Sequence, residues 1–182
     1  FLVVYGVCRI LPRLDYIDQS FDLLNQALEY SPNRIDIYYA LAQGYFLQGN
    51  IELAENSLNN ALDLGVRQEE VYSKLVEVQS RQGDVTEALV NIKKAEEFGK
   101  EFSFTDLESF AKIFIAREEW SAVTEMFLKM NVLQPSNIDT YYNIALAYGK
   151  IGDKEAAIEW VTKILELDPS RDIQVNEFIN NL

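Results

Sequence analysis

The chain has no histidine among its 182 residues and a single cysteine, Cys8. Without histidine, Ser-His-Asp and Cys-His catalysis and the usual zinc ligand sets are excluded. One cysteine forms no intrachain disulfide, so cysteine usage assigns no redox compartment. In a small-residue slot of a helix pair, Cys8 reads as packing rather than as a reactive thiol. No Walker-type loop and no Gly-x-Gly-x-x-Gly occurs, which removes the common phosphate and dinucleotide cradles. Positive charge is scarce: Lys+Arg 16 against Asp+Glu 29 leaves a net −13. That argues against a nucleic-acid backbone as partner, because such a partner calls for clustered cations. The acidic balance keeps the chain soluble and permits a basic partner. The carboxylate pairs Glu69-Glu70, Glu96-Glu97 and Glu118-Glu119 fall near helix ends or on outer faces and read as solvated surface. A glycosidase or metal role for them is disfavoured, and no cofactor, metal or catalytic residue is expected. Linkers rich in Gly, Ser or Pro are absent, as is any low-complexity tract.

What is present is a period. From Gly49 to Gly83 is 34 residues, and Gly152 follows after two further periods with a degenerate copy centred on Glu118. Ahead of Gly49 stand Tyr38, Leu41, Ala42 and Tyr45; behind it stand Ala54, Leu58, Ala61 and Leu64. The next copy places Tyr72, Leu75, Val76 and Gln79 before Gly83, then Ala88, Ile92, Ala95 and Phe98. A third holds Leu107, Phe110, Ala111, Phe114, Glu118, Val123, Phe127, Met130 and Leu133. The fourth holds Tyr141, Ile144, Ala145, Tyr148, Gly152, Ala157, Val161, Ile164 and Leu167. Apolar residues three or four apart place one stripe on each helix. The glycine suits a turn of positive φ, and Asn50, Asp84 and Asp153 suit caps for the second helix. Alternating small and large residues let two helices approach closely. The expected fold is all-α: an array of stacked helix pairs.

These residues, with Pro32, Pro135 and Pro169 at the ends of three copies, resemble the tetratricopeptide repeat family. The resemblance implies a right-handed superhelical α-solenoid of about five repeats with a C-terminal capping helix. Residues 1–182 then read as a single array: an atypical first repeat at 1–34, repeats at 35–68, 69–103, 104–137 and 138–171, and a cap at 172–182. The copy around Glu118 departs from the pattern by lacking its glycine, the Gly99–Phe104 link carries an extra residue, and Gln79 puts an amide in a slot that is usually aromatic.

At the ends, Pro32 assigns Ser20, Leu24, Ala27 and Leu28 to a second helix, with Val4, Val7, Cys8 and Leu11 in the first. Val175, Phe178, Ile179 and Leu182 continue the period into one last helix, whose outer face would carry Asn176, Glu177, Asn180 and Asn181. Its reading is a cap, or the first half of a further repeat. Phe1–Cys8 is apolar on every side and begins without methionine, so the chain reads as a fragment or a processed product. Three readings of that run stand: a first helix covered by something before it, the remnant of a membrane span or signal, or a self-association face. Its eight residues are too few to span a bilayer, which takes about 20. Pro12 would end that first helix early.

In the family, first helices line a concave groove. The resemblance therefore implies a partner surface at Asp36, Tyr39, Gln43 and Phe46; at Glu70, Ser73, Glu77, Ser80 and Arg81; at Thr105, Glu108, Lys112 and Ile115; and at Asp139, Tyr142, Asn143, Leu146 and Lys150. Of these, Tyr39, Gln43, Phe46, Glu77, Arg81, Glu108, Lys112, Tyr142, Asn143 and Lys150 are the candidate partner-binding residues. Tyr39, Phe46 and Tyr142 are large bodies without a slot in their own repeat's core; they read either as anchors for a partner or as padding between repeats. The Lys/Asn/Arg clamp that one subgroup uses on chaperone tails is missing: Tyr39, Gln43, Ser73 and Glu77 occupy its places. The leading functional expectation is a non-catalytic scaffold that binds a protein or a peptide, including a basic one. Two alternatives stand beside it. One is the soluble C-terminal part of a bacterial membrane protein similar to O-antigen ligases and polymerases, touching a membrane only through an upstream segment. The other is a self-assembling array joined through residues 1–11 and 172–182. No compartment follows from the sequence.

Overall fold

The computed structural model describes residues 14–182. Cys8, Pro12 and the run Phe1–Cys8 lie outside them, and so do the readings attached to those positions. All the secondary structure of the described residues is helical: α1 (Leu14–Tyr30), α2 (Ile35–Leu47), α3 (Ile51–Leu62), α4 (Gln68–Gln82), α5 (Val85–Glu97), α6 (Phe104–Ala116), α7 (Trp120–Leu133), α8 (Ile138–Ile151), α9 (Lys154–Leu167), a 3-10 turn (Pro169–Arg171) and α10 (Asp172–Asn180). These residues gather into two compact units, one ending at Lys100 and one spanning Glu101–Leu182.

In the first unit α2 pairs with α3 and α4 with α5; α1 packs on α2, and α3 on α4. In the second, α6 pairs with α7 and α8 with α9; α7 meets α8, and α10 lies against α9. Each pair is closed by a turn too short for anything but antiparallel helices. Three of the second helices, α3, α5 and α9, begin where a side chain satisfies an orphan N–H: Asn50 Oδ1 accepts from Leu53 at 3.3 Å, Asp84 Oδ1 from Glu87 at 3.1 Å, and Asp153 Oδ1 from Ala156 at 3.0 Å. Two first helices use the same device, with Asn137 capping α8 and a reciprocal Ser103–Asp106 box capping α6.

The turn within each pair follows one backbone plan. The N–H groups of Asn50, Asp84, Glu119 and Asp153 reach back to the carbonyls of Tyr45, Gln79, Phe114 and Tyr148 at 2.8, 3.0, 3.0 and 3.0 Å. This is the six-to-one bond of a Schellman ending, and it needs a left-handed residue just before the donor. Glycine takes that place with φ of +76°, +100° and +92° at Gly49, Gly83 and Gly152. In the degenerate copy Glu118 adopts φ +60° and closes the same bond. The missing glycine therefore changes the strain of the turn and not its shape; an L side chain in this region costs about 1–2 kcal/mol.

The cores confirm the small–large alternation. Ala42, Ala54, Leu58 and Ala61 share a buried cluster with Ile35, Val71, Leu75 and Val78. Ala145, Val161, Ile164 and Val175 form another, covered by Tyr141, Tyr142, Trp160 and Phe178. Ala54, Ala61, Ala88, Ala95 and Ala157 have no exposed surface, which marks the lines along which paired helices touch. The prolines between repeats have a second use: their carbonyls accept hydrogen bonds from tyrosines six residues on, Tyr38 to Pro32 at 3.1 Å and Tyr141 to Pro135. In the last helix Val175 is buried while Asn176, Glu177, Asn180 and Asn181 face outward, as the period predicts. No helix of the described residues is long and apolar enough to cross a membrane.

A Cβ added at Gly49 meets no atom within 4 Å, so replacing this glycine tests backbone conformation alone. Gly49→Ala is expected to lower stability by about 1 kcal/mol, and Glu118→Gly to raise it by up to about 1 kcal/mol. Urea unfolding of both variants checks this; equal effects of the same sign would refute the shared turn.

Candidate functional site

α2 packs on α3 and α4 through Ile35 and Ala42, with Tyr39 and Phe46 half-buried at the edge of that cluster, and on α1 through Ile37 and Leu41. Between α2 and α4 lies an open cavity of about 460 Å³, with Leu58 of α3 at its base. Tyr39, Ala42, Gln43, Phe46 and Leu47 line it from α2, and Lys74, Glu77 and Val78 from α4. Its floor is apolar, and Leu47 beside it is 60% exposed. The cavity thus brings together four of the candidate residues: Tyr39, Gln43, Phe46 and Glu77.

Charged groups frame this cavity in pairs. The carboxylate of Glu77 stands 3.5 Å from Lys74 and 3.8 Å from Arg81. Arg81 also lies over the ring of Phe46, 5.0 Å from its centroid. At the other end Arg67 bridges Asp36 at 3.3 Å, pairs with Glu70, and covers the ring of Tyr39 at 5.6 Å. These are exposed pairs, each worth about 0–1 kcal/mol. Their consequence is arrangement: the acidic residues of the cavity region already have cations beside them. Glu108 is in the same position in the second unit, with Lys112 at 3.0 Å on α6.

The other candidates lie apart from the cavity. Tyr142 of α8 meets Phe178 of α10 edge-on at 5.4 Å, so its ring pads the contact with the last helix. Tyr142, Leu146 and Lys150 line a second hollow of about 410 Å³, closed on its other side by Gln174, Glu177, Phe178 and Leu182. Lys150 also lies 5.8 Å from the ring centroid of Trp120. Asn143 is half-buried on the same helix.

Ser80, expected on the groove face, is completely buried, and its hydroxyl has no hydrogen-bond partner. It lies four residues after Val76, itself fully buried, so α4 buries a wider stripe than its apolar residues mark. Leu47, Lys74 and Arg67 are among the residues of the cavity region absent from the expected set. Leu47 continues the stripe of Gln43 and was legible at that spacing. Lys74 lies three residues before Glu77. Arg67 comes from the loop before α4 with φ +49°, and no periodic signal points to a loop residue.

The hydroxyl of Tyr39 is buried without an acceptor. Burial, reinforced by the charge of Glu70, pushes this phenol up to about 12. The neutral form is the one the fold favours, so its contribution is intact below pH 10 and is lost as pH rises from 10 through 12. Tyr39→Phe is expected to lose less stability than the parent chain across that interval. At neutral pH it is expected to be up to about 1 kcal/mol more stable, because an unpaired buried hydroxyl is gone. Thermal melts at neutral and alkaline pH measure both.

Comparison with known proteins follows the same lines. The tetratricopeptide repeat family model matches residues 35–64 and 138–171, the α2–α3 and α8–α9 pairs. A TPR repeat-containing protein of Methanocaldococcus jannaschii is 22% identical over 93% of this chain. The chain spans about a third (33%) of that relative's length. Among solved structures, the crystal structure of MamA protein has a TM-score of 0.64 at 18% identity, covering 93% of this chain and 92% of that one. That of YrrB, a TPR protein with an unusual peptide-binding site, has 0.61 at 18% identity, covering 96% and 89%. At these identities the likeness is one of fold. The two matched segments carry the tetratricopeptide repeat pattern, and the same turns and buried alanines recur in the helix pairs between them.

Proposed function

We propose that this chain is a protein–protein interaction module whose first unit receives an apolar side chain of a partner peptide in the cavity between α2 and α4. Repeats of this family generally serve as interaction scaffolds and not as catalysts, which is the coarser part of the reading. The observation that carries the finer part is the cavity itself. It is open, has an apolar floor, and is bordered by Phe46 and the exposed Leu47. A preformed apolar recess with aromatic walls gives binding energy without an ordering cost in the protein. The peptide-binding site named for YrrB supports a peptide as the class of partner. Because Glu77 is flanked by Lys74 and Arg81, an apolar residue is the anchor and a basic residue only an accessory.

The test is panning of a phage-displayed library of random peptides against the full chain, followed by titration of an enriched, fluorescein-labelled peptide by anisotropy. Enriched sequences are expected to share a bulky apolar residue. Phe46→Ala and Leu47→Asp are each expected to weaken binding by roughly tenfold or more, as for central anchors of an interface. Glu108→Lys, in the other unit, is expected to leave it unchanged. Enrichment of basic peptides whose binding is abolished by Glu77→Lys and not by Phe46→Ala would replace the apolar anchor by a charged one. No enrichment, or binding indifferent to all three cavity variants, would sink the reading.

A further inference from the structure

Three slots of the repeat behave differently in successive copies of the first unit. In the earlier copy they hold Phe21 of α1, Tyr45 of α2 and Ser57 of α3. The rings of Phe21 and Tyr45 stack with centroids 4.4 Å apart and an interplanar angle of 20°. Ser57 turns back to its own helix, donating to the carbonyl of Leu53 at 2.8 Å. One period of 34 residues later, the same slots hold Glu55 of α3, Gln79 of α4 and Asn91 of α5. Here Nε2 of Gln79 donates to Oε1 of Glu55 at 2.8 Å, and Nδ2 of Asn91 donates to Oε1 of Gln79 at 2.7 Å. Gln79 and Asn91 are each only 4% exposed. A stacked aromatic pair has thus been replaced, slot for slot, by a relay of two buried amides and a half-buried carboxylate. In the later copies the Gln79 slot is aromatic again, Phe114 and Tyr148.

The two kinds of junction differ in what they tolerate. Apolar faces of similar repeats accept one another with little discrimination, so a repeat can dock on the wrong neighbour or on a second copy of the chain. Directional hydrogen bonds in a buried place accept one partner, because a mispaired buried amide stays unsatisfied. If the α4–α5 pair docked on α1 instead of α3, Gln79 would face the ring of Phe21 and the relay would lose its carboxylate. If Tyr45 were seated on α3, the carboxylate of Glu55 would be covered by a phenol ring.

We propose that Glu55, Gln79 and Asn91 form a docking key that fixes which repeat follows which and excludes slipped and chain-exchanged pairings. The key does not depend on the partner-binding reading above. Its role is to specify one pairing, since a buried polar relay adds little net stability over a well-packed apolar contact.

The test compares full-length chains carrying Glu55→Phe, Gln79→Tyr, and the triple change Glu55→Phe/Gln79→Tyr/Asn91→Ser, which copies the preceding junction. Urea unfolding reads stability. Refolding over a range of protein concentrations, followed by size-exclusion chromatography with light scattering, reads pairing. Each single change is expected to lower the folding equilibrium constant by roughly tenfold or more, because it strands buried polar groups. The triple change is expected to recover most of that loss and yet to refold with a several-fold larger share of exchanged dimer than the parent chain. Gln79→Met keeps the side-chain length and deletes both hydrogen bonds. It serves as the folded control should the triple variant not fold, and it too must refold with more exchanged dimer. Additive effects of the single changes, or refolding of the triple and Gln79→Met chains as clean as that of the parent at every concentration, would overturn the proposal.

Discussion

Everything in this fold depends on how closely the two helices of a pair approach. Ala54, Ala88 and Ala157 have no exposed surface, and a side chain as small as a methyl group lets two helices come close. Close approach makes the short left-handed turn sufficient as a connection. It also brings Leu58, Ile92 and Val161 to full burial, where each side chain is worth about 1.5–3 kcal/mol relative to exposure. A pair cannot hide both of its apolar stripes by itself. Its remaining face must be covered by a neighbour, which is the physical reason that such pairs come in series.

The partner surface is a by-product of that economy. First helices meet their pair along one stripe and a neighbouring repeat along another, and the side chains left over are the ones available to a ligand. In the first unit the leftover residues enclose a cavity over Leu58, with aromatic walls on α2 and charge pairs on α4. In the second, the corresponding residues of α8 are met by α10, and Tyr142 rests on Phe178. The same slot therefore has different uses according to what lies next to it. Local departures from the repeat follow a similar logic. Glu118 keeps the six-to-one turn at the expense of strain, and Gln79 keeps its place in the core by finding Glu55 and Asn91.

Much of this was legible in the residues. Periodicity is a local property of a helix: spacing of three and four sets a face, a glycine sets a left-handed turn, and a short polar side chain sets a cap. Hence Gly49, Gly83 and Gly152, the caps Asn50, Asp84 and Asp153, and the buried alanines all stood where the pattern placed them. Tyr39, Gln43 and Phe46 were legible because they fall outside the repeat's own packing slots, although Tyr39 and Phe46 also rest half-buried against the core. Ser80 was misplaced because a serine carries no hydropathy signal of burial, and Arg67 was missed because a loop has no period.

The sequence by itself determined the helix pairs, their turns and the apolar part of the stripe each helix buries, since these depend on residues within about one turn of one another. Only the tertiary structure decided which leftover side chains stay open and which are covered. The cavity between Phe46 and Val78, the Arg67 cover on Tyr39, the seat of Tyr142 on Phe178 and the Glu55–Gln79–Asn91 relay all join residues that are many positions apart. Such contacts depend on the angle and offset at which one pair docks on the next, and these are set by the summed packing of whole faces and not by any local spacing.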